Sequence, residues 1–147
     1  AFDTWATSNG VPTGSEAVDS DSGGLNNLGE FGLGGDPTDG NDDGALLHAY
    51  SDEVVGGGPE EGILTILVRN GAVGTFTTAA PSVSDPTDGI VYTVSGGSSV
   101  PVDGALTVTP TAAVTDVLPA APPGYTYVSF YISGPEGYFQ VEVAPAP

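Results

Sequence analysis

The chain has 147 residues, enough for one domain, and carries 19 acidic residues against a single basic one, Arg69, for a net charge of −18. Nothing here can neutralise phosphates, so nucleic acid is excluded as a partner and anionic membrane surfaces are disfavoured. Cysteine is absent, which rules out a disulfide framework and thiolate chemistry.

Cations are the natural partners of such a surface; plain solubility is the competing explanation of the same charge. No apolar run reaches the length of a membrane span, so no membrane insertion is expected. The sequence contains no methionine and opens Ala1-Phe2-Asp3. That opening is expected of a product from which a secretory signal peptide has been removed, and abundant Thr, Ser, Gly, Pro and Asp point to an extracellular or cell-surface protein.

In chain order, Phe2, Trp5 and Ala6 predict a short amphipathic turn. A second short helix is predicted from Leu25 to about Leu33, with Leu25, Leu28 and Phe31 on one side and Gly29 and Gly32 weakening it. Thirteen of the acidic residues fall within residues 1–61, a Gly- and Asp-rich stretch poor in β-branched residues. From Ile63 the pattern changes. ILTILVR (63–69) reads as a strand, closed by Asn70-Gly71, with GTFTT (74–78) as the return strand of a hairpin. IVYTV (90–94), ALTVT (105–109) and AAVTDVL (112–118) follow. TYVSFYI (126–132) and YFQVEV (138–143) alternate apolar and polar residues, placing Val128, Phe130, Ile132, Phe139, Val141 and Val143 inward. The closing APAP reads as an extended or disordered tail. The expected fold is mainly β: an antiparallel β-sandwich over 61–147, preceded by an acidic region, 1–60, that holds short helices and a calcium-type loop, the two forming one compact unit.

That loop is DSDSGGLNNLGE (19–30). A calcium ion takes six to eight hard oxygens, and an EF-hand-type loop supplies them from positions 1, 3, 5, 7, 9 and 12, with glycine at 6. With Asp19 first, Asp21 is third, Gly24 sixth, Leu25 seventh (offering its carbonyl), Asn27 ninth and Glu30 twelfth. Gly23 stands at the fifth position, where a ligand is expected. The competing reading is an Asp/Gly-rich turn in which Asp21 or Ser22 caps the following helix. Asp39, Asn41 and Asp43 repeat the first half of the pattern, but Tyr50 falls at the twelfth position and cannot chelate. This second cluster is a weaker site by itself, or a supplier of further oxygens to the first loop, with Asp36 and Asp42 beside it.

The run FDTWATSNGV…DSDSGGLNNLGEFGLGGDPTDG resembles a module of large secreted bacterial proteins, with an aromatic-x-x-Trp start and a D-x-D-x-x-G-x-x-N-x-x-E loop. The loop is similar to those of dockerins and thrombospondin type 3 repeats, which bind calcium. LTILVRNGA, DGIVYTVSGGSSV, LPAAPPGYTYVSF and GYFQVEV resemble the β-rich region that follows it in such proteins. The resemblance implies Asp19, Asp21, Asn27 and Glu30, with the Leu25 carbonyl, as calcium ligands.

Catalysis finds little footing. His48 is the sole histidine, so zinc chemistry has no ligand set, and no nucleophile elbow is present. Trp5, Tyr92, Tyr125, Tyr127, Tyr131 and Tyr138 offer either a carbohydrate platform or core packing. Two functional readings follow. The first is a non-enzymatic secreted subunit, calcium-stabilised, that assembles with copies of itself into a filament, tube or surface layer, with the N-terminal segment around Phe2 and Trp5 docking into a neighbour. The second is a monomeric module that binds surface glycans or attaches to a cell.

Overall fold

The computed structural model describes residues 1–51, 61–113, 118–133 and 137–147, with the backbone alone described at 48–51, 61 and 133. The chain opens with α1 (Phe2–Ser8) and α2 (Asn27–Leu33), followed by β1 (Leu46–Ser51), β2 (Glu61–Arg69), a 3₁₀ turn (Asn70–Ala72), β3 (Ser82–Val83), β4 (Ile90–Gly97), β5 (Thr109–Ala112), β6 (Tyr125–Ser133) and β7 (Tyr138–Pro145). The strands form two antiparallel sheets, ordered β1-β2-β6-β5 and β3-β4-β7.

Alternation decides which side chains meet between the sheets. Leu64 pairs with Phe130 and Ile66 with Val128 across β2 and β6; Tyr92 pairs with Val143 and Val94 with Val141 across β4 and β7. These residues join one apolar cluster, with Phe76 between the layers, its ring 4.8 Å from Phe130 and 5.9 Å from Tyr92. Val128, Phe130 and Ile132 are buried, and Phe139, Val141 and Val143 are half-buried against the same cluster, as the alternation predicts. On β2 the other face is buried too: Ile63, Thr65 and Leu67 are covered, and the Thr65 and Ser129 hydroxyls bond each other at 2.7 Å. Burial on both faces accounts for the nearly unbroken apolar run 63–69.

The expected hairpin at Asn70-Gly71 does not form. These residues enter the 3₁₀ turn, the Asn70 amide donates to the Gly124 carbonyl, and β2 pairs with β1 and β6 instead. Residues 74–78 are not a strand, and most of the strand expected at 112–118 lies outside the described residues. Nor is the C-terminus a loose tail: β7 pairs through Pro145, and the Ala146 amide donates to Gly89.

The acidic N-terminal region packs into the same core. Phe2, Ala6, Val11, Leu28, Phe31 and Leu33 belong to the cluster formed by the sheets. The rings of Phe2 and Trp5 lie 5.7 and 5.5 Å from that of Phe31, so the aromatic pair expected to dock into a neighbour packs on its own chain. Helix α2 lies against β2 and β7. Its approach to β7 depends on Gly32, where a Cβ would come within 2.7 Å of Val143.

Candidate metal centre

Helix α2 is held at both ends. At its start the Asn26 side chain caps the Gly29 amide. At its end two carbonyls that lack helical partners receive tyrosine hydroxyls: Tyr125 donates to Phe31 and Tyr92 to Gly32, each at 2.7 Å. Burial pushes both phenols up, so they remain protonated donors at neutral pH. Arg69 completes the clamp. Its guanidinium lies 4.8 Å from the ring centres of Phe31 and Tyr125 and bonds Asp88 at 2.7 Å. The sole basic side chain therefore fixes α2 to the sandwich.

This fixed helix carries two of the expected ligands, Asn27 and Glu30, and both are fully buried. The Asn27 amide nitrogen donates to the Ser15 carbonyl, the Ser15 hydroxyl and the Ser20 hydroxyl. A carbonyl only accepts, so this contact sets the orientation of the amide and turns Oδ1 the other way, where it has no hydrogen-bond partner. Both Glu30 carboxylate oxygens are likewise buried without a partner, as are Asp21 Oδ2 and Asp43 Oδ1.

The loops holding these carboxylates are pinned by short side chain–backbone bonds that occupy one oxygen of several acids. Asp21 Oδ1 accepts from the Gly23 amide and Asp19 Oδ2 from the Gly24 amide. Asp36 Oδ1 accepts from the Thr38 amide and hydroxyl, which holds that carboxyl below the usual range. Asp39 Oδ1 accepts from the amide and the side chain of Asn41, and both residues are exposed. Asp39 and Asn41 thus satisfy each other at the surface, whereas Asp43 of the same cluster turns a buried oxygen inward. Leu25 is half-buried, and its side chain lies over α2 at Gly29.

The electrostatics follow from this placement. Burial pushes the Glu30 carboxyl up to about 7, and the neighbouring charges of Asp21, Asp43, Asp19 and Asp36 add to the effect in that order. Among the described residues no three His, Cys, Asp or Glu side chains stand as a ready-made ligand cluster. What the fold does leave buried and unpartnered is five side-chain oxygens from three carboxylates and one amide, with the charges of Asp21 and Asp43 acting on Glu30. Uncompensated burial of such groups costs several kcal/mol each, on the order of 3–5 for an unpaired charge. A hard divalent cation is the partner whose chemistry suits them.

Of the aromatic residues considered for a carbohydrate platform, Trp5 and Tyr125 are half-buried and engaged in packing, Tyr92 is fully buried, and Tyr138 alone is exposed. Among the described residues no helix is long and apolar enough to cross a membrane. No family model, no curated protein and no solved structure matches the chain.

Proposed function

We propose that the chain is a secreted, non-enzymatic structural module whose acidic N-terminal region is ordered by calcium, and that it assembles with copies of itself into a filament, tube or surface layer. The observation that carries the calcium reading is Glu30: a fully buried carboxylate with neither oxygen bonded, placed among acids on a helix clamped to the core. Asp21, Asn27 and Glu30 are the side-chain ligands this reading uses, with Asp19 and the Leu25 carbonyl as further oxygens. Calcium suits the set better than magnesium, because it accepts a larger and less regular group of oxygens.

Self-assembly draws support from a different part of the surface. Leu46, Val100 and Tyr138 are exposed around one apolar groove, beside Pro101 and Val102. The groove borders β1 and β7, which among the described residues are edge strands of their sheets. Edge strands commonly carry lysine as a guard against pairing with other chains, and this sequence has none. A charge of −18 on each copy opposes close approach, and bound or bridging cations reduce that repulsion.

Sedimentation velocity and negative-stain microscopy of the purified chain, in millimolar calcium and then in chelator, test the reading. Assemblies that form in calcium and dissolve on chelation are the expected result. A chain that binds no calcium and stays monomeric at high concentration removes the proposal, and binding on a glycan array would then favour the attachment module.

A further inference from the structure

The two acidic loops meet at glycines. A Cβ built on Gly23 would lie 2.7 Å from Asp43 Oδ1, 3.1 Å from Asp21 Oδ1 and 3.1 Å from the Gly40 Cα. A Cβ on Gly40 would in turn lie 3.1 Å from the Asp21 carbonyl oxygen and 3.4 Å from the Gly23 amide nitrogen. The space that a side chain at position 23 would fill is therefore taken by the carboxylate of Asp43. Position 23 is also the fifth position of the loop pattern, the one at which the sequence lacks a ligand.

We propose that the two loops form a single cation site, in which Asp43 from the second loop supplies the ligand missing at Gly23. The inference rests on the calcium reading and names the group that completes it. Asp43 is held in place by its neighbours: the Asp42 carbonyl accepts from the Asp36 amide at 2.9 Å, and the Ala45 amide donates to the Leu33 carbonyl at 3.2 Å. The second loop is thus tied to the end of the same helix that carries Asn27 and Glu30. Asp43 Oδ1 is buried and unpartnered, as are Asp21 Oδ2, Asn27 Oδ1 and both oxygens of the fully buried Glu30. Three carboxylates and one amide then offer five hard oxygens to one ion, and a backbone carbonyl or water completes the shell. Gly23 is in this view a requirement of the site: a larger residue there excludes the carboxylate that replaces it.

Calorimetric titration of the purified full chain with calcium chloride tests the composite site. Glu30→Gln reads the calcium reading itself, and its loss of binding is expected. Asp43→Asn should weaken binding by about tenfold or more, because it removes a charged ligand. Asp39→Asn, in the same loop but at the surface, should bind like the parent. Asp43→Asn removes a charge from a mutually repelling set, and circular dichroism checks its fold. Gly23→Ala, whose methyl would stand 2.7 Å from Asp43 Oδ1, displaces that carboxylate and should weaken binding as well, with circular dichroism again checking the fold. An Asp43→Asn chain that binds like the parent, or a folded Gly23→Ala chain that does so, overturns the composite site. The calcium reading survives either result if Glu30→Gln still loses binding. A parent chain that binds no calcium overturns both.

Discussion

The Tyr92 hydroxyl donates to the Gly32 carbonyl at 2.7 Å, across sixty positions of sequence, and joins the middle of β4 to the end of α2. The same oxygen accepts from the Arg69 amide at 2.9 Å, so β2 is tied into the junction as well. Tyr92→Phe keeps the ring and removes both bonds. The Gly32 carbonyl and the Arg69 amide each lose this partner, so the expected cost is about 1–3 kcal/mol in urea unfolding. Because α2 carries Asn27 and Glu30, calcium affinity should fall together with stability. A stability loss with unchanged affinity would show that the helix keeps its position without the clamp.

Close approach of α2 to β7 gives a second expectation. Gly32→Ala drives a methyl into Val143, whose Cγ1 would lie 2.7 Å away. Overpacking of this kind costs about 1–3 kcal/mol. Val143→Ala opens the space that the new methyl needs, so the double variant should be more stable than the sum of the two single changes implies. Strict additivity in the cycle would mean that the helix and strand yield without contact.

Much of this framework was legible in the sequence. The alternation in 126–132 and 138–143 located β6, β7 and their inward residues, and Phe2, Trp5 and Ala6 located α1. The strand β1 was not legible, because Leu46–Ser51 contains no β-branched residue and its extended state comes from pairing with β2. Asn70-Gly71 misled for a related reason. A dipeptide common in hairpins is used here in a 3₁₀ turn anchored to Gly124 and, through the Asn70 side chain, to Thr126, contacts that no local pattern reveals. For the candidate site, loop spacing singled out Asn27 and Glu30, which the fold buries on α2. The position of Asp43 beside Gly23 depends on two loops meeting in space, and the only trace in the sequence was a cluster lacking its twelfth ligand.

Glu30 makes the metal-free protein sensitive to pH in a definite direction. Its carboxyl stands at about 7 in the folded chain, against 4.5 as the reference for an unfolded one. A raised folded value means that the native state holds the proton more tightly than the unfolded state. That contribution is complete below pH 4.5 and is lost as the pH rises through about 7. The difference corresponds to about 3 kcal/mol. In chelator, urea denaturation should therefore show higher stability at pH 5 than at pH 8, and Glu30→Gln should flatten the trend. Calcium should reverse it, since the ion binds the deprotonated carboxylate and gains affinity as the pH rises. A chelated parent whose stability is level between pH 5 and pH 8 would place Glu30 in contact with water or another donor.

The apolar groove offers a way to separate assembly from ion binding. Leu46, Val100 and Tyr138 are 49%, 73% and 42% exposed, and they border β1 and β7 at the sheet edges. Contact between copies through this groove would bury all three and allow strand edges to pair. Val100→Lys and Tyr138→Lys place a strongly hydrated ammonium where the apolar contact forms. Neither residue belongs to the two acidic loops or to the internal core cluster. Each variant should therefore keep the calcium affinity and melting temperature of the parent, within about 0.5 kcal/mol as for other surface changes. Assemblies should shrink to monomers in calcium by sedimentation velocity. The added charge also lowers net repulsion between subunits, so a simple charge effect would strengthen association and shift the result in the opposite direction. Lysine variants that assemble as the parent does would locate the contact between copies elsewhere on the surface.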